Sequence, residues 1–281
     1  MERDIDLTKK VQEYCYKIGA NIVGFGDPIH FNKFSKYYRP EQFLKGSKTV
    51  IILGLYLYDI ILDAWNKDPE TGKEIRIDCT RFGSGAYSIP ISVEHLKFET
   101  NAKFILAIET AGMFERLNRH GYWKKANCIL ISMGGVPTRA CRRFIRRLSE
   151  AKKISVYAFC DSDYYAFFNI YRTLKVGSGN AAHINEYFCV PKAKFLGVTP
   201  QDIINYKLPT HPLKEIDIKR GKDALKNDPF VHAHKEWQKA IKLMQKLGKR
   251  CEQQALAKYG LNYVIEKYLP QKLKNSKSWL P

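Results

Sequence analysis

The pattern of apolar and polar positions predicts a small α/β segment at the N-terminus. Apolar side chains recur at the spacing of one helix face over 7–18, and Gly19 then ends the pattern. A short strand is predicted at 21–25, and the β-branched, apolar run 49–55 is typical of a buried strand. A cluster of polar turn residues at 66–73 separates this segment, 1–66, from a larger domain, 67–281.

From residue 103 onward, strand patterns alternate with helical patterns. The strand patterns occupy 104–108, 128–132, 156–160 and 194–198, and helical patterns occupy about 109–119 and 138–150. This rhythm is typical of a parallel sheet flanked by helices. Helical spacing of apolar residues returns near the C-terminus, from Trp237 to Cys251. The sequence therefore predicts an α/β fold.

Acidic residues follow two of the predicted strands. Glu109 comes directly after the strand 104–108, while Asp161 and Asp163 follow the strand 156–160. Ligands of a parallel sheet gather outside the carboxyl ends of its strands. Residues two apart on an extended segment project to the same side, so both aspartates can reach one cation. Three carboxylates at this edge would suit Mg²⁺, which prefers oxygen ligands.

The alternative is that each acidic residue serves only the local structure. An Asp-x-Asp sequence after a strand is a common polar turn, and a glutamate there can cap the following helix. Three carboxylates that converge would, however, repel one another unless a metal ion or basic residues compensated their charge. That repulsion favours the metal-binding interpretation.

The formal net charge of +19 is the strongest feature of the composition. A surplus of this size attracts polyanions; nucleic acid is the first candidate, and an anionic membrane or simple solubility are alternatives. A cluster of arginines lies in the helical pattern that follows Thr138, and guanidinium groups match phosphate geometry. The alternative is pairing with acidic neighbours such as Glu150. The arginines that we predict to contact DNA phosphates are Arg139, Arg142, Arg143 and Arg146.

The remaining composition predicts a globular, cytoplasmic protein. With 281 residues, 45% of them hydrophobic, the chain can form a sizeable core. Its longest apolar runs are too short to cross a bilayer, so no membrane association is expected, and the N-terminus lacks a secretory layout. The seven cysteines are dispersed without a Cys-x-x-Cys pair, so a zinc or iron–sulfur site has no support.

Several short sequences in a fixed order are more specific than any single motif. Between about 77 and 273 they include Asp78-Cys79-Thr80-Arg81, Ile108-Glu109, Met113-Phe114-Glu115-Arg116-Leu117, Pro137-Thr138-Arg139, and Glu252-Gln253-Gln254-Ala255 leading to Tyr268-Leu269-Pro270. In this order they resemble the A subunit of DNA topoisomerase VI and its meiotic double-strand-break relatives.

The resemblance implies a Toprim domain, a Rossmann-like parallel sheet, with Glu109, Asp161 and Asp163 as its catalytic and Mg²⁺-binding residues. It implies duplex DNA as the substrate, a homodimer associated with the nucleoid and, as a further partner, a GHKL-type ATPase B subunit. The family's enzymes are type IIB topoisomerases, which cut both strands of a duplex by tyrosine attack on phosphate.

The chain departs from the family's pattern at three places near the predicted site. Thr110 follows the glutamate, where the family usually has a lysine. A Gly-Lys-Gly-Gln-Pro-like loop is replaced by Met133-Gly134-Gly135-Val136-Pro137, and an Asp-Gly-Asp-Pro-like turn by Asp161-Ser162-Asp163-Tyr164. The carboxylates are kept, while the charge and glycine content around them change.

The N-terminal segment lacks the pattern of the winged-helix domain that carries the family's tyrosine nucleophile. It reads instead Ile18-Gly19-Ala20-Asn21-Ile22-Val23-Gly24-Phe25, then Tyr38-Arg39-Pro40-Glu41 before Val50-Ile51-Ile52-Leu53-Gly54, and resembles the start of epoxyqueuosine reductase. Tyr37 and Tyr38 form a tyrosine pair, but Pro40 disfavours a helix here. We therefore expect neither of them to be the nucleophile.

Three functions stay open at this point. The first is a topoisomerase VI A-like, Mg²⁺-dependent DNA-binding enzyme without its own tyrosine nucleophile. The second is a non-catalytic homologue that only holds DNA, and the third is a Toprim nuclease that uses metal-activated water.

Overall fold

The protein's computed structural model describes residues 4–17, 20, 22–33, 39–40, 44–45, 48–54, 77–81, 86–178 and 183–281. The chain divides into two compact units, Met1–Ile77 and Asp78–Pro281. The boundary predicted at 66/67 lies outside the described residues, as do Tyr37 and Tyr38, so these expectations stay predictions.

The N-terminal unit contains one helix and a two-stranded antiparallel sheet. Helix α1, Ile5–Lys17, begins after Asp4, whose carboxylate accepts the N–H of Leu7 at 2.9 Å in the manner of a helix cap. Strand β1, Ile22–Gly26, pairs with β2, Val50–Gly54. A 3₁₀ helix at Pro28–Lys33 follows β1. The predicted helix and both predicted strands of this unit are present. The prediction that 49–55 is a buried strand is wrong, because Ile51 and Ile52 of β2 are 48% and 53% exposed, and a two-stranded sheet leaves faces of its strands uncovered.

The larger unit is built on a four-stranded parallel sheet. Its strands are β3 (Phe104–Ile108), β4 (Cys128–Ser132), β5 (Ser155–Phe159) and β6 (Lys194–Gly197), in the order β4-β3-β5-β6. Every residue of β3 is buried, because this strand lies inside the sheet and is covered on both faces. The predicted strands agree with these bounds to within one residue, and the α/β fold is confirmed.

Helices cover the sheet, and further helical segments complete the unit. Within the described part of the chain, each helix is too short or too polar to span a bilayer. The α-helices are α2 Ala111–Arg119, α3 Tyr122–Ala126, α4 Arg139–Lys152, α5 Arg172–Lys175, α6 Asn185–Phe188, α7 Pro200–Asn205, α8 Glu215–Asn227, α9 Pro229–Ala233, α10 Lys235–Leu247 and α11 Leu269–Lys274. The 3₁₀ segments are Cys79–Arg81, Gln253–Tyr259 and Ser276–Ser278, and π-helical turns occupy Ala166–Tyr171 and Val264–Tyr268.

The core consists of two apolar clusters to which β3 contributes alternate residues. Ile105 and Ala107 belong to one cluster, and Leu106 and Ile108 belong to the other. Successive side chains of a strand point to opposite faces of the sheet, so β3 is anchored on both sides. The residue that follows this strand, Glu109, therefore starts from a rigid position.

The C-terminal part of the chain folds differently from the sequence prediction. The helical pattern expected to reach Cys251 ends at Leu247, because Gly248 adopts a left-handed φ of 63° and ends helix α10. The chain then forms strand β8, Lys249–Arg250, which pairs with β7, His211–Pro212. After β8 the chain returns to the carboxyl edge of the parallel sheet, where Cys251 pairs with Ser162.

Candidate metal and DNA site

The carboxyl ends of β3 and β5 lie side by side, because the two strands pair in parallel register. Ile108 is the register partner of Phe159, and the N–H of Glu109 donates to the carbonyl of Phe159 at 3.0 Å. Asp161 and Asp163 follow Phe159 at the same edge of the sheet. The structure therefore brings the three predicted acidic residues together at one edge of the sheet.

Each of the three carboxylates accepts a backbone N–H. Glu109 Oε2 accepts from Asp161 at 2.8 Å, Asp161 Oδ1 accepts from Gln253 at 2.9 Å, and Asp163 Oδ1 accepts from Ala166 at 2.7 Å. Hydrogen bonds to a charged acceptor are stronger than those between neutral groups. The backbone thus orients all three side chains.

Burial and mutual repulsion raise the pKa values of this cluster. Burial, and then the charge of Asp161, raise the pKa of Glu109 to about 8. Burial also raises the pKa of Asp161 to about 6; the N–H of Gln253 opposes this shift and the charge of Asp163 adds to it. The pKa of Asp163 is raised, again mainly by burial. Full ionisation of the cluster is therefore unfavourable without a nearby positive charge.

The chemistry of this donor set fits a divalent cation. Three carboxylates supply the hard oxygen ligands that Mg²⁺ and Ca²⁺ prefer, and a cation would relieve their repulsion. Among the residues that the structure describes, no group of three or more His, Cys, Asp or Glu side chains is arranged so that it could hold a metal ion. As placed, the three carboxylates therefore do not form a preformed metal site.

Gln253 is a residue of the site to which the sequence analysis gave no role, although it lies in the sequence Glu252-Gln253-Gln254-Ala255 that carries the resemblance. Its side chain is fully buried, its backbone N–H holds Asp161, and its Nε2 donates to the carbonyl of Phe159 at 2.7 Å. The hydroxyl of Thr110, at the position where the family usually has lysine, donates to Gln253 Oε1 at 3.2 Å. Thr110 also caps helix α2, since its side chain accepts the N–H of Met113. Gln253 thus links the loops that follow both acidic strands.

The glycine-containing loop after β4 also adjoins the site. Gly134 and Gly135 have φ values of 63° and 88°, which glycine adopts more readily than other residues. The N–H of Gly135 donates to the carbonyl of Glu109 at 3.0 Å. This loop therefore supports the backbone of Glu109, although it lacks the lysine of the family's pattern.

A basic residue that sequence reasoning missed lies against the acidic cluster. Arg250 Nη1 is 4.0 Å from Asp163 Oδ2 and 3.9 Å from Glu252 Oε1. No sequence pattern pointed to Arg250, because it reaches the site only through the turn at Gly248.

Two of the four arginines predicted to contact DNA are bound tightly to the protein itself. Arg142 is buried, and its Nη1 donates to the carbonyl of Thr173 at 3.3 Å. Arg143 forms a bidentate pair with Glu94 through Nε at 2.7 Å and Nη2 at 2.8 Å. Both side chains therefore have a structural role in fixing helix α4.

The other two arginines differ in exposure. Arg146 Nε donates to Glu150 at 2.9 Å, the pairing that the sequence offered as the alternative to DNA, and its Nη1 donates to the carbonyl of Glu186. Arg139 is exposed at the start of helix α4, immediately after the N-cap Thr138. Of the four, Arg139 is the most accessible to an external phosphate.

Two family models match most of the larger unit. Residues 104–273 match the Toprim domain of the topoisomerase 6 A subunit and Spo11, and residues 62–102 match the all-beta domain of the DNA topoisomerase VI alpha subunit. The described residues of 62–102 form the 3₁₀ turn at Cys79–Arg81 and irregular backbone. The three carboxylates and Arg250 all lie within the Toprim match.

Individual relatives agree with these models. The chain is 60% identical over 208 residues to the A subunit of type 2 DNA topoisomerase 6 from Methanocaldococcus jannaschii, covering 74% of this chain and 56% of that protein. It is 41% identical to the same protein of Methanothermobacter thermautotrophicus, covering 71% and 56%, and 41% identical to that of Archaeoglobus fulgidus, covering 68% and 52%. The chain thus spans about half the length of the relatives it matches.

Proposed function

Because the chain belongs to the family of DNA topoisomerase VI A subunits, we propose that it binds duplex DNA and Mg²⁺ at the carboxyl edge of its Toprim sheet. Toprim domains generally bind a divalent metal ion, and Mg²⁺ is the ion that we assign here. The observation that carries this proposal is the position of Glu109, Asp161 and Asp163 at the ends of two adjacent strands. The chain would act as the Toprim part of a type IIB topoisomerase.

In this function the protein's own residues place the carboxylates, and the carboxylates hold the cation. A bound Mg²⁺ supplies a Lewis acid that stabilises negative charge on a phosphate. Gln253 orients Asp161 through its backbone N–H, and the pairing of β3 with β5 positions Glu109. Because the pKa of Glu109 is about 8, cation binding near neutral pH would displace a proton from this side chain.

The remaining parts of the proposal concern DNA and protein partners. A net charge of +19 favours polyanion binding, and the exposed Arg139 is the arginine of helix α4 that we keep as a phosphate contact. Contacts by Arg142, Arg143 and Arg146 stay a prediction from the sequence. A homodimer, association with the nucleoid and a GHKL-type ATPase B subunit belong to the same proposal.

Calorimetry tests the metal site. The wild-type chain is expected to bind Mg²⁺ saturably, and the double variant Asp161→Ala, Asp163→Ala is expected to lose this binding because two of the three ligands are gone. A matched control is Glu236→Ala, Glu266→Ala, which removes two exposed carboxylates from helical segments elsewhere. If the double aspartate variant bound Mg²⁺ as the wild type does, the proposed metal site would be wrong.

Incubation of supercoiled plasmid with the chain and Mg²⁺ tests the kind of activity. Covalent protein–DNA adducts would support transesterification by a topoisomerase-like mechanism. Free cut ends would support a nuclease that uses metal-activated water, and a mobility shift alone would support a DNA-binding homologue. Absence of any interaction with the plasmid would contradict the proposed function.

A further inference from the structure

Backbone pairing on both sides of Arg250 places this residue beside the acidic cluster. Arg250 is the register partner of His211 in the two-stranded antiparallel sheet of β7 and β8. The next residue, Cys251, exchanges two backbone hydrogen bonds with Ser162, at 2.7 and 3.0 Å, and Ser162 lies between the two aspartates. Gln253 then holds Asp161. Arg250 is thus tied to the aspartate turn by the backbone that follows it.

The guanidinium of Arg250 has donors that its neighbours do not use. Its two carboxylate neighbours, Asp163 and Glu252, lie 4.0 and 3.9 Å from Nη1, which is too far for hydrogen bonds. Its Nε is buried and has no hydrogen-bond partner in the part of the chain that the structure describes, so this atom is closed to an external acceptor. The Nη groups of the guanidinium carry four further N–H donors, and neither carboxylate is close enough to accept from Nη1. These groups retain capacity for a further acceptor.

A comparison with Arg143 shows what a purely structural ion pair looks like in this protein. Arg143 donates to both carboxylate oxygens of Glu94 at 2.7 and 2.8 Å. Arg250 lies between two carboxylates and forms a hydrogen bond with neither of them. An arginine that served only as a counter-charge for Asp163 would be expected to form the short, direct pair that Arg143 forms.

We propose that Arg250 binds a non-bridging phosphate oxygen of the DNA backbone beside the acidic cluster. This inference rests on the proposed function, since it assumes that duplex DNA occupies this edge of the sheet. A phosphodiester that approaches three carboxylates needs positive charge from the protein, and the planar guanidinium matches its oxygens. Exposed Lys249, which precedes Arg250 on β8, adds to the local positive charge.

Fluorescence anisotropy of a labelled duplex, with the whole chain, Mg²⁺ and a series of salt concentrations, tests this contact. Arg250→Gln is expected to weaken binding by about tenfold and to reduce the slope of log affinity against log salt by about 0.9, the value for one lost phosphate contact. Arg250→Lys, which keeps the charge, should retain most of the slope. The control is Lys103→Gln, an exposed lysine just before β3 at the opposite edge of the sheet.

A second measurement separates a phosphate contact from disruption of the carboxylates. Mg²⁺ titration of Arg250→Gln without DNA should give binding at least as tight as wild type, because a competing positive charge is removed. Lost Mg²⁺ binding would overturn the proposal, since Arg250 would then act through the cluster. If the glutamine variant does not fold, Arg250→Met, which keeps the apolar stem, serves in both measurements.

These experiments distinguish failure of the Arg250 contact from failure of the proposed function. Wild-type duplex affinity and salt slope in Arg250→Gln would overturn the role of Arg250 and leave the proposed function intact. Absence of duplex binding by the wild-type chain would overturn the proposed function itself.

Discussion

Glu109 is the buried member of the acidic cluster, whereas Asp161 and Asp163 are partly exposed. It is 8% exposed, it follows a fully buried strand, and it has the charges of Asp161 and Asp163 nearby. The N–H of Asp161 donates to its carboxylate and lowers the pKa, but this hydrogen bond does not offset burial. A proton on Glu109 is therefore part of the stable metal-free state near neutral pH.

We predict that Glu109→Gln stabilises the metal-free protein at alkaline pH. A carboxyl whose folded pKa of about 8 exceeds its ordinary value of 4.5 contributes stability that is complete below pH 4.5 and is lost as the pH rises through 8. With chelator present, ionisation of Glu109 should cost the wild type up to about 5 kcal/mol between these values, since one pKa unit corresponds to about 1.4 kcal/mol. The glutamine variant should lose less, because only the raised pKa values of Asp161 and Asp163 remain. Denaturant unfolding at several pH values measures the difference.

Two further measurements make this prediction specific. Glu236→Gln, at an exposed position, should leave the pH dependence of stability unchanged. Mg²⁺ should stabilise the wild type more than Glu109→Gln, because the variant has lost a ligand. Equal pH dependence in the wild type and Glu109→Gln would show that Glu109 ionises normally in the folded state.

Helix α4 illustrates how an element uses its arginines. Arg143, Arg146 and Arg147 donate to acceptors in the chain, so much of the helix's positive charge holds neighbouring segments in place. The helix itself is anchored by buried Ile145 and Leu148. Charge in a helical sequence therefore does not identify a nucleic-acid surface unless its intramolecular partners are known.

We predict that Arg143→Gln lowers stability without changing DNA binding, and that Arg139→Gln changes DNA binding without changing stability. Loss of the bidentate pair with Glu94 should lower the free energy of unfolding by about 0.5 to 1 kcal/mol, since Glu94 is largely exposed, and should leave the salt dependence of DNA binding unchanged. Arg139→Gln should leave stability unchanged and reduce the salt slope by about 0.9. Thermal unfolding and anisotropy titrations check both variants. A reduced slope in Arg143→Gln would support the sequence prediction for that residue.

The elements that the sequence predicted well share one property: their own residues determine them. Strand β3 is a run of five apolar residues, and helix α4 has its N-cap Thr138 in the expected place, with the hydroxyl accepting the N–H of Cys141. The acidic residues could be predicted for the same reason, because they directly follow such strands. Local pattern was sufficient to place these three residues at one edge of the sheet.

The parts of the site that could not be predicted come from distant segments of the chain. Gln253 lies 92 residues from Asp161, and Arg250 reaches Asp163 only because Gly248 ends helix α10 and β8 pairs with β7. A buried glutamine and an exposed one look alike in a sequence. Their roles depend on tertiary contacts that periodicity and motif spacing do not contain.

For the whole molecule, the acidic cluster and the net charge of +19 are complementary features. A surplus of positive charge draws a polyanion to the surface over a Debye length, whereas the carboxylates at the sheet edge require a cation. The proposed function satisfies both, since DNA supplies the polyanion and Mg²⁺ the cation. Chemistry on DNA would still require a nucleophile that is positioned and activated.

In the described part of the chain, every tyrosine whose pKa departs from its ordinary value has a raised pKa. A raised pKa opposes activation of the hydroxyl as a nucleophile. A nucleophilic hydroxyl needs a lowered pKa, an adjacent base or a metal ion, and it must lie in line with the phosphate. Tyr164, next to Asp163, is fully buried, and burial raises its pKa. The tyrosines with a raised pKa are Tyr87, Tyr122, Tyr164, Tyr171, Tyr187, Tyr206, Tyr263 and Tyr268.

We predict that this 281-residue chain, tested by itself, binds plasmid DNA with Mg²⁺ but forms no phosphotyrosine bond. Misplacement of a nucleophile by about an ångström already costs on the order of a hundredfold in rate. Of the two tyrosines that follow Asp163, Tyr164 is buried and Tyr165 is exposed, so Tyr165→Phe is tested beside the wild type. Denaturant trapping followed by mass spectrometry of DNA-linked peptides measures the adduct. Tyr37 and Tyr38 lie outside the described residues, so Tyr37→Phe and Tyr38→Phe variants belong in the same experiment. An adduct that disappears in any of these variants would identify the nucleophile and overturn the prediction.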